Sequence, residues 1–201
     1  MKRFTGMIIT ITLCFSMAVA SFAFSNCKVS NATESSKGKT LVVYFSFSHG
    51  NTKSIAERLQ KALDADIVKL EPITSYPHDN DKMDKQGREE VNSQFKPKLK
   101  ALGVDLKSYD RIIIGTPTWW YKMAPVVLSF MSSNDFNDKT VVPFSTNAGW
   151  AGSVIKDMTE LAQQKGAKVV SGHAFLFPDN NSGQPSVSSP EELEQWLESL
   201  K

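Results

Sequence analysis

The sequence predicts an α/β fold, a three-layer sandwich built on a parallel sheet, and three observations carry that reading. Residues 41–45 (LVVYF), 111–115 (RIIIG) and 140–144 (TVVPF) are short, continuous apolar runs rich in β-branched residues, the pattern of strands covered on both faces. Between and after them, apolar residues recur at the spacing of one helix face. The two patterns alternate, and strands joined by helical crossovers lie parallel in one sheet.

Folding is expected to begin near Thr40, with the first strand at 41–45 and a helix over 52–63 that lines up Ile55, Ala56, Leu59 and Leu63. A weaker strand follows at 66–70 (DIVKL). The stretch from Glu71 to Ser108 is polar and carries Pro72, Pro77 and Pro97; it reads as an irregular crossover containing a helix around 80–94. After the third strand, at 111–115, Ala124, Val127, Leu128 and Met131 mark a helix over 124–131. The fourth strand, 140–144, leads to a helix over 153–162 with Val154, Ile155, Met158 and Leu161 on one face. A fifth, weaker strand is read at 167–177 (AKVVSGHAFLF). The last helix, 190–200, places Leu193, Trp196, Leu197 and Leu200 together and opens with Ser188-Ser189-Pro190-Glu191-Glu192, a good N-terminal signal. No internal repeat is present.

Composition bounds the answer further. The chain has 201 residues, 41% hydrophobic and 22% charged, enough for one domain with a substantial core. With 23 Lys+Arg against 21 Asp+Glu and no long run of either sign, neither a nucleic-acid-binding arm nor an acidic tail is indicated. The two cysteines, Cys14 and Cys27, exclude a disulfide scaffold and supply no zinc set.

Lys2 and Arg3 precede an apolar stretch from Met7 to Phe24, which ends at Asn26 and Cys27 and gives way to a polar, aperiodic segment. That is the order of an export signal at 1–26 followed by a linker at 27–39. Three fates fit: cleavage after Ala20 or Ala23, retention as a membrane anchor, or lipidation of Cys27, which resembles the modified cysteine of bacterial lipoproteins. Cys27 can equally be an unpaired thiol in a linker. Loss of residues 1–26 removes Lys2 and Arg3 and leaves a chain with no net charge. The expected location is outside the cytoplasmic membrane, secreted or anchored to it through the N-terminus. Without a twin-arginine pair the chain crosses unfolded, so any cofactor is acquired outside.

In open parallel sheets ligands bind beyond the carboxyl ends of the strands. After the first strand comes Ser46-Phe47-Ser48-His49-Gly50-Asn51-Thr52, running straight into a helix whose first amides have no internal partner and favour an anion. Simple N-capping by Ser48 or Asn51 explains one or two polar residues, not five in seven. The spacing is not that of a triphosphate-binding P-loop. After the third strand come Thr116, Pro117, Thr118, Trp119, Trp120 and Tyr121, three adjacent aromatics in a strand-to-helix loop that cannot all enter one core. After the fourth come Thr146, Asn147, Gly149, Trp150 and Gly152, again before a helix. A phosphate cradle and two aromatic walls suit a planar, phosphorylated cofactor.

The runs YFSFSHGNTKSIAE (44–57), IIIGTPTWWYKMAP (112–125) and KTVVPFSTNAGWAGS (139–153) resemble the flavodoxin family, particularly flavodoxin-like proteins with a Pro-x-Trp-Trp loop, over about residues 40–200. The resemblance implies a five-stranded sheet of order 2-1-3-4-5 and one non-covalently bound FMN. It implies that Ser46, Ser48, Gly50, Asn51 and Thr52 surround the phosphate, that Thr116 to Tyr121 flank one side of the isoalloxazine, and that Thr146 to Gly152 line the other. Two positions depart from the family pattern. His49 is an extra residue in the phosphate loop, placed to add a donor or to face solvent, and Tyr121 stands where many flavodoxins have glycine.

The flavin would carry the redox chemistry, so no catalytic acid is demanded of the protein. Trp120 and Trp150 are expected to stack on the ring, and the absence of Lys or Arg beside them to lower its potential. Three functions fit: an extracytoplasmic electron carrier serving a redox partner protein or a small-molecule acceptor, an FMN-dependent NAD(P)H:quinone or nitro-compound oxidoreductase, and a surface flavin-binding module. Electron-carrier flavodoxins are strongly acidic, whereas this domain is neutral. His78 reads as a solvated crossover residue and His173 as locally packed, and neither is assigned to the site.

Overall fold

A computed structural model describes residues 38–170, 172–178 and 187–201. The expected export signal, Cys27 and nearly all of the expected linker lie outside the described residues. In order, the elements are β1 (Thr40–Tyr44), α1 (Asn51–Leu63), β2 (Asp66–Lys69), α2 (Asn80–Asn92), β3 (Arg111–Trp119), β4 (Lys122–Met123), α3 (Pro125–Ser133), β5 (Thr140–Asn147), α4 (Val154–Gln164), β6 (Lys168–Val169), β7 (His173–Leu176) and α5 (Pro190–Ser199).

The parallel sheet runs β2-β1-β3-β5, with both β6 and β7 against the far edge of β5. This is the 2-1-3-4-5 order with two refinements. The fifth strand is broken: β6 pairs with Thr140 and Val141, and β7 pairs with Phe144 to Asn147. Pro143 stands at the break with no N–H to give the ladder, and Gly172 packs so tightly beside it that a Cβ there would lie 2.6 Å from the Pro143 ring. The second refinement is at the site end. Residues 116–119 and 145–147, read from sequence as loop, continue β3 and β5, and Thr116 and Pro117 still pair with Ser145 and Thr146. Their apolar pattern stops before their backbone pairing does.

Each continuous apolar run divides its side chains between two cores, because successive residues of a strand face opposite ways. Val42, Tyr44, Ile113, Val142 and Phe144 pack under α1 and α5, against Ile55, Leu59, Leu63, Leu193, Trp196 and Leu197. Leu41, Val43, Ile112, Ile114 and Val141 pack under α3 and α4, against Val127, Phe130, Met131, Val154 and Met158. Burying each such aliphatic side chain stabilises the fold by about 1.5–3 kcal/mol. In α2 only Gly87 is buried, so that helix borders the core rather than capping it. The crossover is less irregular than its prolines imply: the Ile73 N–H donates to Lys98 at 2.8 Å and the Lys100 N–H to Glu71 at 2.9 Å, closing the crossover on itself around α2.

At the opposite end of the sheet from the site, Asp66 joins the starts of β1, β2 and β3. Its carboxylate accepts from the Tyr109 hydroxyl at 2.6 Å and pairs with Lys39 at 2.8 Å. The Lys39 hydrogen bond, followed by that from Tyr109, holds the Asp66 carboxyl below its ordinary value of 3.8. A depressed carboxyl contributes stability above its unfolded value and loses it as pH falls through the lower folded value. Asp66→Asn is therefore expected to lower the urea midpoint at pH 7 and to leave the variant and parent closer together at pH 3; an equal gap at both would count against this linkage. In the centre of β3, Gly115 leaves room for the Phe144 ring, whose Cζ would lie 2.1 Å from an added Cβ. Gly115→Ala is expected to destabilise the protein by about 1–3 kcal/mol through overpacking, read as a lower urea midpoint at unchanged m-value.

Candidate functional site

The three loops meet where β1, β3 and β5 end. Beyond β1 the chain turns through Ser46 to Gly50 and enters α1 with no straight spacer. Gly50 is the N-cap, at φ 77°, and has no side chain with which to cap the helix. The first turn carries no acidic residue. A helix start of this kind presents backbone N–H groups and positive dipole to whatever sits in front of it. The capping position open to Ser48 or Asn51 in the sequence is thus filled by a residue with no side chain to offer, whose carbonyl accepts the Ser54 N–H at 2.9 Å. The Ser48 hydroxyl instead lies 2.9 Å from Nδ1 of the exposed His49. Thr52 turns inward, and its Oγ1 is 2.8 Å from Oγ1 of the buried Thr146, tying the first loop to the end of β5.

Beyond β3 the chain forms a two-residue hairpin, with Thr118 opposite Met123 and Trp119 opposite Lys122. Trp120 and Tyr121 form its tip at φ 45° and 65°, a conformation that Asn-Gly adopts readily and bulky residues do not. The left-handed backbone costs roughly 1–2 kcal/mol per residue, and three contacts offset it. Trp120 lies against α2, where Gly87 leaves space: a Cβ there would be 2.6 Å from the indole. This contact accounts for a glycine in mid-helix. The Tyr121 carbonyl accepts the Ser153 N–H at 3.0 Å, an approach open only because Gly152, at φ 60°, has no Cβ to strike that carbonyl. Lys122 Nζ then reaches Ser153 Oγ and Asp157 Oδ2, both at 2.9 Å. The ammonium beside the aromatic loop, not anticipated from the sequence, is committed to α4.

Beyond β5 the Asn147 side chain accepts the Gly149 N–H at 2.9 Å and donates to the Phe175 carbonyl at 3.1 Å, fixing the turn. Ser46 to Thr52, Pro117 to Trp119 and Thr146 to Ala148 together line a cleft of about 250 Å³. Thr118 is one of its lining residues, and the Thr118 hydroxyl is buried without a hydrogen-bond partner among the described residues. Such a group costs stability unless something bonds it.

The structure thus brings Ser46, Ser48, His49, Gly50, Asn51, Thr52, Pro117, Thr118, Trp119, Thr146 and Asn147 to one cleft. It places the other candidates around that cleft rather than on its wall. Thr116 is fully buried; its Oγ1 accepts the Ala124 N–H at 3.0 Å and donates to the Pro117 carbonyl at 2.9 Å, holding the hairpin's two ends. Trp120 faces α2. Tyr121 and Trp150 are 56% and 71% exposed and meet edge to face at 6.3 Å between centroids. Gly149, at φ 123°, has open space around it, and Gly152 supports the hairpin. The wall aromatic is Trp119, not Trp120. Ala148, within the 146–152 stretch expected to line one side, is also on the wall, and so is Phe47, which was missed; the alternation of Phe45 and Phe47 about a strand end was the available signal. His78 is exposed and stacks on Phe47 at 6.3 Å and 13°. His173 pairs with Glu192 at 3.0 Å and packs on Phe175 and Trp196, as a local structural residue does. Among the described residues no cluster of His, Cys, Asp and Glu is arranged to hold a metal ion.

A family model described as Flavodoxin matches residues 39–200. The chain belongs to the flavodoxin family. Flavodoxin 1 of Escherichia coli K12 is 26% identical over 140 residues, which is 65% of each chain, so the match leaves about a third of that flavodoxin's length uncovered. A chain from Bacteroides uniformis described as a flavoprotein superposes with a TM-score of 0.64 at 27% identity, over 80% of this chain and 98% of its own. A flavoprotein from Lactobacillus acidophilus, solved in complex with FMN, superposes with a TM-score of 0.56 at 25% identity, over 68% of this chain and 93% of its own. This flavodoxin-like chain keeps the family sheet while building its aromatic loop as a strained hairpin.

Because Gly152 is what lets the hairpin tip reach α4, Gly152→Ala is expected to undock it. A loss of at least about 2 kcal/mol is expected from the clash and the positive φ together. The change should be visible as a lower urea midpoint and as altered near-ultraviolet dichroism from the loop tryptophans; a variant matching the parent in both would refute the role given to Gly152.

Proposed function

We propose that this flavodoxin-like protein binds FMN non-covalently in the cleft and carries electrons outside the cytoplasmic membrane. The observation that carries the cofactor reading is the helix start itself: α1 opens on a cap without a side chain, at the carboxyl end of a buried parallel strand, on the wall of the cleft. Ser46, Ser48 and the first-turn amides of α1 would hold the phosphate, which needs donors and no counter-charge of its own when a helix dipole faces it. Trp119 offers the apolar surface for a planar ring, and the end of β5 at Asn147 and Ala148 closes the other side. FMN, once bound, supplies the electron-carrying chemistry; the protein's part is to orient the ring, keep water from one side of it and set the charge around it. The FMN complex of the Lactobacillus acidophilus relative supports the same cofactor here.

The order of a basic start, an apolar stretch and a polar linker supports the extracytoplasmic location, with cleavage, anchoring and lipidation of Cys27 as its three routes. Neutral charge in the domain favours a partner recognised by shape or a small acceptor over one steered by strong opposite charge. A second reading, an NAD(P)H-dependent oxidoreductase, is favoured by one observation. Trp120 is turned onto α2, and Trp150 and Tyr121 stand out at the rim, so the bulky pair expected to cover the cleft leaves it open.

The test is an absorbance titration of the full chain, purified in mild detergent, with FMN, followed by addition of dithionite and, separately, NADPH. A shifted flavin spectrum with reduction by dithionite alone is the result expected of a carrier. Rapid bleaching by NADPH would move the assignment to an oxidoreductase, and an unshifted spectrum with no retained flavin would overturn the cofactor reading. A hydrogen bond to a charged group contributes about 1.5–3 kcal/mol, so Ser48→Ala should weaken FMN binding about tenfold or more without moving the urea midpoint.

A further inference from the structure

We propose that Tyr76 is a redox-active tyrosine, coupled through Trp119 to the cleft and through its hydroxyl to Glu90 as proton acceptor. Trp119, on the cleft wall, meets the Tyr76 ring edge-on at 5.1 Å between centroids, nearer than it meets Phe45 at 5.5 Å, Trp120 at 6.2 Å or Phe47 at 6.4 Å. The two phenylalanines are poor electron donors. Trp120 has the Arg88 guanidinium over its ring at 5.9 Å, and a neighbouring cation opposes the positive charge that oxidation would place there. Tyr76 is therefore the neighbour to which an oxidising equivalent on Trp119 passes most readily.

The hydroxyl is arranged for that transfer. It donates to Glu90 Oε2 at 2.6 Å, and the other carboxylate oxygen is held by Gln86 Nε2 at 2.8 Å. Tyr76 as a whole is only 4% exposed. Burial first, then the hydrogen bond and negative charge of Glu90, push the hydroxyl's dissociation far above its ordinary value of 10. The closed-shell phenol thus keeps its proton, whereas an oxidised phenol must lose one, and an ionised carboxylate is a pure acceptor. Glu90 and Gln86 also border an open cleft of about 420 Å³ lined by Ile73, Phe95 and Pro97, through which the proton exchanges with solvent.

The step balances as a single electron and a single proton. Trp119, lacking one electron, takes one from Tyr76; the Tyr76 O–H bond breaks and its proton joins Glu90. Trp119 returns to a closed-shell indole, Tyr76 becomes a neutral radical, and Glu90 becomes a neutral acid. The oxidant that first takes the electron from Trp119 is a one-electron acceptor in the cleft. In nature that would be photoexcited oxidised flavin, and in this respect alone the inference rests on the FMN reading. A tie that merely fastens the crossover to α2 would need the same hydrogen bond but would carry no radical.

The experiment uses the full chain without flavin, so its outcome is independent of FMN binding. In a Tyr121→Phe/Trp150→Phe background, which removes the exposed tyrosine and tryptophan, tris(bipyridine)ruthenium(III) generated by a laser flash with persulfate serves as oxidant. Transient absorption and rapid-freeze electron paramagnetic resonance follow the radicals. A neutral tyrosyl radical growing as the tryptophan radical decays is expected, at least tenfold smaller with Tyr76→Phe and formed at least tenfold more slowly with Glu90→Gln, the shape-matched change that cannot accept the proton. Trp119→Phe should also slow it. A tyrosyl yield within twofold of the background in Tyr76→Phe, or a rate unaffected by Glu90→Gln, overturns the proposal. Repeating the flash on protein loaded with FMN then tests the natural oxidant: a flavin that fails to bind refutes the FMN reading and leaves the ruthenium result standing.

Discussion

Burial of β1, β3 and β5 on both faces decides where this protein can do chemistry. Val42, Ile113 and Val142 face one core and Leu41, Ile112 and Val141 the other, so no polar group has a place along the middle of the sheet. Polar side chains and helix starts are forced to the carboxyl ends, and because the strands are parallel these ends lie side by side. Of the helix starts at these ends, that of α1 lines the cleft. The Thr52–Thr146 contact, buried at both ends, then makes two of the loops one surface. The glycine cap of α1 suits this constraint, since a side-chain cap would compete with a ligand for the helix-start donors.

The hairpin after β3 shows a second trade. Its tip places two bulky residues in the left-handed region, a poor choice for stability, and the chain meets that cost with contacts drawn from three separate elements: Gly87 of α2, Gly152 before α4, and Asp157 within α4. Strain held in place by its surroundings marks a position where geometry matters more than stability. What the geometry achieves is to divide adjacent aromatics among different tasks. Trp119 faces inward to the cleft and the aromatic group around Tyr76, Trp120 anchors the loop on α2, and Tyr121 forms the rim with Trp150. A glycine-rich turn would have reached the same φ values without strain, but it would have supplied neither the anchor nor the rim.

The fold was legible because its strongest signals are local. Continuous β-branched runs and one-sided helix faces each report burial directly, and even α2, with little buried surface, was visible from its flanking prolines and polar composition. What was not legible depends on partners distant in sequence. Residues 116–119 carry no strand periodicity, yet Thr116 and Pro117 pair because β5 continues beside them, and Thr118 and Trp119 pair because the chain turns back on itself as β4. The break between β6 and β7 is set by Pro143 on a neighbouring strand. At the site, residue type identified the three loops, and the order of side chains along the first loop located its donors. Which tryptophan forms the wall was not recoverable, because that depends on two positive φ angles that Trp and Tyr rarely adopt. Gly87 and Gly152 held the information, but only their neighbours in space reveal it.

The same non-local logic applies to the group behind the cleft. Tyr76 comes from the crossover, Glu90 from α2, Trp119 from β3, and Phe45 and Phe47 from the end of β1, so no motif in the sequence unites them. They meet because the crossover folds back on itself through its Glu71–Lys100 and Ile73–Lys98 hydrogen bonds. A buried hydroxyl could have been satisfied at lower cost by a backbone carbonyl, which has no charge to desolvate. A carboxylate is partly taken from water at this position and needs Gln86 to hold its second oxygen, an arrangement more demanding than packing alone requires. A carbonyl and a carboxylate would fasten the crossover equally well, but only the carboxylate can take a proton, and that difference is the physical reason for looking beyond a structural role.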